Sequence, residues 1–232
     1  MLKALLTDID GTLTDPTRRI HTGAIETIRS LVDQGVEVVL ASGNTSCFME
    51  SLCKMIGTQG SFIAENGGVF RVGYTGSLRI IGDQSACRRA LEILQAHYRA
   101  QGKELDLYHP AYRFADLAFG RTVPVDDVKK VLRDFPIQVI DTGFAIHLQS
   151  PGINKGTTLV TLAEEMGIVP ADFLATGDSV NDTQMLKTAG IGIAVANAHP
   201  DTKAAAIYVA ENRYGDGFVE GVKKYSSYFR AR

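Results

Sequence analysis

Six short apolar runs that do not alternate with polar residues most strongly constrain the fold of this 232-residue chain. A strand with one face in water would alternate, so continuous apolar runs predict strands that are buried on both faces of a parallel sheet. The predicted strands lie at 3–9, 36–41, 62–64, 173–176, 191–195 and 207–209.

Helical patterns separate several of these runs. Apolar residues recur three or four positions apart, and three such stretches end at Gly35, Gly57 and Gly167, where glycine commonly terminates a helix. The alternation of strand and helix predicts an α/β fold with a doubly wound parallel sheet.

The middle of the chain has a different pattern, in which paired strands lie between helices. This pattern predicts a small α+β cap domain at 82–151, inserted into a core domain formed by 1–81 and 152–232. Within the cap we expect helices at 85–100 and 125–135 and extended segments at 105–108, 114–119, 138–140 and 144–148.

Composition narrows the class of partner. Hydrophobic residues make up 45% of the chain and charged residues 22%, and the formal net charge is −2, which is typical of a soluble protein that binds neither nucleic acid nor a membrane. The first residues do not resemble a signal peptide, so we expect a cytoplasmic protein. A homodimer is compatible with the sequence. The three cysteines indicate reduced thiols, with a Cys47–Cys53 disulfide as the alternative.

Two pairs of acidic residues follow predicted strands. Asp8 and Asp10 end the first run, and Asp178 and Asp182 follow the run at 173–176. Ligands of open α/β sheets bind at the carboxyl ends of the strands, where these carboxylates could share a Mg²⁺ ion. Taken singly, the first pair could be a chain-reversing turn and the second an acidic helix start. Two such strand ends in one sheet favour a metal site.

Further polar residues suit a phosphate group. Ser42 and Gly43 end the second strand with a hydroxyl and backbone N–H groups, and Lys155 precedes a predicted helix. Asn181, inside the second acidic segment, is another candidate for substrate binding. The alternatives are an ordinary N-cap for Ser42 and a solvated surface position for Lys155.

Together these motifs, Asp-x-Asp-Gly-Thr, a strand-end Ser, a Lys and Gly-Asp-x-x-x-Asp, resemble those of the haloacid dehalogenase-like superfamily over the whole chain. The resemblance implies that Asp8 is a nucleophile and Asp10 a general acid and base, and that Ser42 and Lys155 bind the phosphoryl group. It also implies a Mg²⁺ ion held by Asp8, the backbone carbonyl of Asp10 and Asp178, with Asp182 close to the metal.

The position of the insertion refines the resemblance. A cap between Ser42 and Lys155 is similar to the subfamily that has its cap between the second and third motifs. Segments 41–44 and 63–68 most resemble archaeal-type phosphoglycolate phosphatases. The implied function is Mg²⁺-dependent hydrolysis of a small phosphomonoester, 2-phosphoglycolate, to glycolate and phosphate.

Three alternatives stay open at this point: a sugar-phosphate phosphatase, a phosphomutase of the same superfamily, and a non-catalytic receiver domain. A receiver would be shorter and would lack the cap. Arg113 and His147 in the cap are candidates for binding a substrate carboxylate, although both could simply be solvated. We expect Lys155→Ala to impair catalysis while sparing stability, because an ammonium group that faces phosphate contributes little to packing.

Overall fold

Buried strands and amphipathic helices alternate along residues 1–230, the part of the chain that the computed structural model describes. The strands are β1 (Ala4–Asp8), β2 (Glu37–Ala41), β3 (Phe62–Ala64), β4 (Val69–Arg71), β5 (Arg79–Ile80), β6 (Leu117–Gly120), β7 (Gln138–Asp141), β8 (Ala145–Gln149), β9 (Phe173–Gly177), β10 (Ile191–Ala194) and β11 (Tyr208–Val209). The helices are α1 (Thr22–Asp33), α2 (Ser46–Ile56), α3 (Gln84–Arg99), α4 (Val125–Val131), α5 (Lys155–Glu165), α6 (Thr183–Thr188), α7 (Pro200–Ala205) and α8 (Tyr214–Lys224).

The larger sheet has the strand order β11-β10-β9-β1-β2-β3-β4-β5. The pairings from β11 to β3 are parallel, and β4 and β5 extend the sheet in antiparallel pairings. The predicted α/β fold with a doubly wound sheet is confirmed, and each of the six predicted strands occurs. The antiparallel strands β4 and β5 were not predicted, because three and two residues are too few to show a pattern.

Helices cover both faces of this sheet because neighbouring residues of a strand point in opposite directions. Leu5 packs on one face with residues of α1, α2 and α8, whereas Leu6 packs on the other face with residues of α5 and α6. Each side chain is fully buried, which stabilises the fold by about 1.5–3 kcal/mol per residue. The glycines expected at helix ends, Gly35, Gly57 and Gly167, all have positive φ, as a left-handed helix end requires.

The smaller sheet, with the antiparallel order β6-β8-β7, lies between β5 and α5 in the chain. Helices α3 and α4 pack against it around a separate apolar cluster. The division of the chain at 81/82 and 151/152 stays a prediction. The extended segment expected at 105–108 pairs with β6 through an antiparallel bridge between Leu107 and Phe119. The bounds of the next segment are wrong, because the first cap strand begins at Leu117 rather than at 114.

Two smaller expectations can also be compared with the structure. Cys47, Cys53 and Cys87 are free thiols, so the alternative of a Cys47–Cys53 disulfide is not realised. Cys47 and Cys53 both lie on α2, where residues six positions apart point to different sides of the helix. Within residues 1–230, none of the helices has the length and hydropathy that crossing a membrane requires.

Candidate active site

The carboxyl ends of β9, β1 and β2 lie side by side and bring the predicted site residues together. Asp8 is the last residue of β1, while Ser42 and Asp178 directly follow β2 and β9. Asp8, Asp10 and Ser42 line a cleft of about 330 Å³ between the two sheets. Carboxylate oxygens of Asp8, Asp178 and Asp182 lie within 4.8 Å of one another.

A glycine makes the approach of two acidic loops possible. Gly11 has φ +92°, and its backbone N–H donates to Thr14 Oγ1 over 3.1 Å in the turn after β1. A Cβ atom at this position would lie 2.4 Å from Asp178 Oδ2. Gly11 therefore serves two purposes: it adopts a conformation unfavourable to other residues, and it leaves room for the Asp178 carboxylate.

Lys155, the first residue of α5, is completely buried between two acids. Its Nζ lies 2.6 Å from Asp8 Oδ1 and 2.6 Å from Asp182 Oδ1. Burial by itself would lower the pKa of Lys155, but the charges of Asp182 and Asp8 outweigh it and raise that pKa. The surface alternative for Lys155 is wrong. The expectation that replacing Lys155 spares stability assumed a lysine that packs against little. Without Lys155, the buried carboxylates of Asp8 and Asp182 would lack their cation, which is unfavourable.

One lysine does not neutralise three carboxylates. Burial first, and then the charge of Asp182, raise the pKa of Asp8 well above its ordinary value and raise that of Asp178 to about 7. Oδ2 of Asp8 is buried and has no hydrogen-bond partner among residues 1–230. A set of buried oxygens with excess negative charge and one unpartnered atom fits a hard divalent cation such as Mg²⁺.

The three acids are not equally suited to act as metal ligands. Oδ2 of Asp182 accepts the backbone N–H groups of Asp178 and Ser179 at 3.1 and 3.0 Å, while its Oδ1 contacts Lys155. Both oxygens of Asp182 are thus held by protein donors. This arrangement favours Asp8 and Asp178 as metal ligands and gives Asp182 the tasks of fixing the loop and holding the lysine.

Asp10 and Ser42 are joined by a residue to which the sequence analysis gave no role. Nδ2 of Asn44 donates to Asp10 Oδ2 and to Ser42 Oγ, each over 3.0 Å. Burial raises the pKa of Asp10, and the charge of Lys155 and the bond from Asn44 offset only part of this effect. A carboxyl group with a raised pKa suits a proton donor.

Asn181, a predicted substrate-binding residue, contacts a second asparagine that the sequence analysis did not single out. Nδ2 of Asn181 donates to Asn66 Oδ1 over 2.9 Å. Asn66 Nδ2 and Asn181 Oδ1 are buried and find no hydrogen-bond partner in the described part of the chain, which leaves one donor and one acceptor available. Asn66 also borders Gly43, where an added Cβ would lie 3.1 Å from its amide atoms.

Arg113 and His147 of the cap reach the same cleft as Asp8. Both are buried, at 6% and 4% exposure, so the alternative of two solvated side chains is wrong. They share one partner: His147 Nδ1 lies 2.7 Å from Asp116 Oδ2, and Arg113 Nη1 donates to Asp116 Oδ1 and to Gly43 O. Burial raises the pKa of Asp116, but Arg113 and His147 lower this pKa by more than burial raises it, so the net shift is downward.

Asp116 was missed in the sequence because an isolated aspartate carries no local signal. Its role depends on Arg113, three residues earlier, and on His147, thirty-one residues later. Glu65 and Asn66 had one available signal, since two polar residues lie between a buried strand and Gly67 and Gly68.

The sequence profile of haloacid dehalogenase-like hydrolases matches residues 5–112 and 124–222. The chain belongs to the haloacid dehalogenase-like hydrolase family. The resemblance inferred from the motifs and the expectation of a hydrolase are both confirmed. Membership of this family also excludes the receiver-domain alternative.

Members of the family from archaea are similar to this chain along its whole length. A protein from Methanoculleus marisnigri named phosphoglycolate phosphatase is 58% identical over 234 residues and covers 100% of both chains. One of the same name from Methanospirillum hungatei is 48% identical over 232 residues, again with full coverage of both. A crystal structure of a Thermoplasma acidophilum protein has a TM-score of 0.86 and 28% identity, covering 97% of this chain and 99% of that one.

Proposed function

We propose that this hydrolase is a Mg²⁺-dependent phosphatase that converts 2-phosphoglycolate to glycolate and phosphate through a phosphoaspartate on Asp8. The observation that carries the proposal is the placement of Asp8. One of its oxygens pairs with Lys155, the other is buried with no partner that the described residues supply, and the residue lines the cleft beside Asp10. The name phosphoglycolate phosphatase, given to relatives 58% and 48% identical, supports this choice of substrate.

The residues of the site can perform the reaction in two steps. Asp8 attacks phosphorus and the bond to the leaving alkoxide breaks, while Asp10 gives that alkoxide its proton. Asp10 then takes a proton from the water that attacks the phosphoaspartate, which frees phosphate and restores Asp8. Lys155 and the backbone around Ser42 offset the charge of the phosphoryl oxygens.

Mg²⁺ held by Asp8 and Asp178, with the backbone carbonyl of Asp10, would supply additional positive charge for the transferring group. Two residues of the chain favour binding of the ion at that site. Lys155 reduces the repulsion between Asp8 and Asp182, and Gly11 allows the Asp178 carboxylate to approach the first loop.

The cap accounts for the rest of the substrate in this proposal. Once the core residues hold the phosphoryl group, the carboxylate of 2-phosphoglycolate needs a cationic partner. Arg113 and His147 both line the cleft, and Asp116 fixes their positions. A guanidinium group binds a carboxylate with directional, charge-assisted hydrogen bonds. We also propose a cytoplasmic location, which the free thiols support.

Phosphate release in the presence of Mg²⁺ tests the activity. Wild type should release phosphate steadily from 2-phosphoglycolate, and Asp8→Asn should abolish this activity because an amide is not a nucleophile here. Asp15→Asn is the matched control, since the Asp15 side chain accepts hydrogen bonds from Thr17 and Arg19 of its own exposed loop. Near-normal turnover by a folded Asp8→Asn variant would refute the proposal.

Ethyl phosphate tests the choice of substrate, because it has the same two-carbon skeleton as 2-phosphoglycolate but a methyl group in place of the carboxylate. Arg113→Ala should lower kcat/KM for 2-phosphoglycolate by about ten- to a hundredfold, the loss expected for charge-assisted hydrogen bonds, and change ethyl phosphate much less. Arg121→Ala, which removes an exposed cap arginine paired with Asp141, should alter neither. Equal losses on both substrates would contradict carboxylate recognition by Arg113.

A further inference from the structure

Glu65 is a buried acid that the proposed chemistry does not use. It follows β3, and none of its surface is exposed. Its carboxylate accepts hydrogen bonds from three consecutive backbone N–H groups of the other side of the cleft: Phe114 at 3.1 Å, Ala115 at 2.8 Å and Asp116 at 3.1 Å. A single side chain of the core therefore fixes the backbone that leads into the first cap strand, β6.

The same residue is also hydrogen-bonded to residues 42–44, the loop after β2 that is proposed to bind the phosphoryl group and is called the phosphate-binding loop below. The backbone N–H of Glu65 donates to Asn44 O over 3.0 Å, and that of Asn66 donates to Ser42 O over 3.1 Å. Glu65 and Asn66 have φ values of +51° and +53°, which are unfavourable for residues other than glycine. Backbone strain of this kind persists where surrounding contacts enforce it, as these contacts with the loop and the cap do.

The segment that Glu65 holds carries the residues proposed to recognise the substrate. Arg113 directly precedes the three N–H groups, and Asp116 contributes one of them. The side chain of Asp116 in turn contacts Arg113 and His147, and Arg113 donates to Gly43 O in the phosphate-binding loop. A displacement of this backbone would move the side chains of Arg113 and His147 relative to Gly43 and the rest of that loop.

Backbone N–H groups, rather than a cationic side chain, stabilise the charge of Glu65. Within residues 1–230 it forms no ion pair with a lysine, an arginine or a histidine. Burial first, and then the neighbouring Asp116, raise the pKa of Glu65 to about 7, whereas the three N–H groups act in the opposite direction. A buried carboxylate is unfavourable unless its hydrogen bonds are satisfied, so an apolar residue would be the simpler choice for packing alone.

We propose that Glu65 is a positioning residue for substrate discrimination: it fixes the backbone of 114–116 against the phosphate-binding loop, and thereby fixes Arg113 and His147 at the distance that suits a carboxylated substrate. This inference rests on the proposed function, in which Arg113 reads the carboxylate. Glu65 touches none of the reacting atoms in this account and acts through the segment that it holds.

The test compares kcat/KM for 2-phosphoglycolate and ethyl phosphate in wild type, Glu65→Gln, Arg113→Ala and the control Glu37→Gln. Glu37 lies at the far end of β2 and accepts a hydrogen bond from Ser61 over 2.6 Å. The amide of Glu65→Gln retains the shape of the carboxylate but presents an NH₂ group to backbone donors. The preference for 2-phosphoglycolate should fall about tenfold, through KM, while kcat on ethyl phosphate changes less than about twofold.

Several outcomes would overturn the inference, and they can be told apart. If Arg113→Ala loses the preference and folded Glu65→Gln keeps it, or if Glu65→Gln loses both substrates equally, then Glu65 has no role in discrimination. If wild type shows no preference for 2-phosphoglycolate, then the proposed function fails and this inference fails with it. Should Glu65→Gln not fold, Glu65→Asp retains the charge with a shorter reach, and the same ratio decides.

Discussion

Lys155 Nζ lies 2.6 Å from Asp8 Oδ1, although 147 residues separate the two in the chain. The lysine begins α5 and the aspartate ends β1, so this contact joins the two parts of the core that flank the cap. Both side chains are buried and a second carboxylate, Asp182, shares the ammonium group. The fold and the candidate active site therefore share the same ion pair.

Replacement of this lysine should therefore impair both activity and stability. Lys155→Met keeps the apolar stem but leaves Asp8 and Asp182 without their cation, which should lower the free energy of unfolding by about 3 kcal/mol and abolish phosphate release. Lys54→Met removes an exposed pair with Glu50 and should cost less than about 0.5 kcal/mol. Urea unfolding of both variants measures the difference. Equal stability of the two would contradict the buried ion pair.

Gly11→Ala should destabilise the protein for two reasons: the positive φ of this residue, and a clash of the added Cβ with the Asp178 carboxylate. Gly11 and Gly73 both have positive φ, but an added Cβ meets Asp178 at 2.4 Å in the first and nothing within 4 Å in the second. Gly73→Ala should cost about 1–2 kcal/mol of stability and leave activity intact. Gly11→Ala should cost more and lower the affinity for Mg²⁺, measured by titration calorimetry. Similar behaviour of the two variants would indicate that Asp178 is not confined by Gly11.

Mg²⁺ should stabilise the protein through Asp8 and Asp178. Binding to the folded state alone adds about 2.7 kcal/mol when free Mg²⁺ is one hundred times Kd, and EDTA should reverse the corresponding rise in Tm. Asp178→Asn should lose most of the rise, yet without Mg²⁺ it should be no less stable than wild type, because one of three repelling carboxylates is gone. An undiminished Mg²⁺ effect in Asp178→Asn, with the Asp15→Asn control unchanged, would place the ion elsewhere.

Glu220 on α8 should make stability depend on acid pH. It accepts the Tyr208 hydroxyl at 2.6 Å and backbone N–H groups of Glu211 and Asn212, each at 3.0 Å. Burial raises the pKa of Glu220, but the bond from Tyr208 and then these N–H groups lower it more, to about 2.

A folded pKa below the ordinary 4.5 means that Glu220 contributes stability above pH 4.5 and loses it as the pH falls toward 2. Glu220→Gln should therefore have a lower Tm than wild type at pH 7, with a difference that shrinks below pH 4.5. Glu92→Gln, an exposed change on α3, should show no such trend. A Tm difference independent of pH would contradict the assignment.

Local signals made much of the core predictable. The strand at 62–64 coincides with β3, and the helix ends at Gly35 and Gly57 follow from backbone geometry that glycine alone adopts easily. Residues 114–116 show the limit of such signals. Their pattern predicted a strand, but their N–H groups bind the Glu65 carboxylate, which lies about fifty residues earlier in the chain.

The candidate site likewise contains residues that the sequence could predict and residues that it could not. Asp8, Asp10, Asp178 and Asp182 could be predicted because strand ends gather at one edge of a parallel sheet. Asn44, Asp116 and Glu65 could not, since each acquires its role from a partner in another segment: Asp10 for Asn44, His147 for Asp116, and the 114–116 backbone for Glu65.

Trapping the phosphoenzyme tests the central claim most directly. Asp10→Asn keeps the nucleophile but lacks both the general acid of the first step and the base of the second. With p-nitrophenyl phosphate the first step needs no general acid, because p-nitrophenolate leaves without a proton, so the phosphoaspartate should accumulate. After incubation with p-nitrophenyl phosphate and Mg²⁺, acid quenching and proteolysis, mass spectrometry should find one added phosphoryl group on the peptide that contains Asp8. The Asp8→Asn/Asp10→Asn double variant should show none. A phosphoryl group on Ser42 or another residue, or none on Asp8 in a variant that still consumes substrate, would contradict the account.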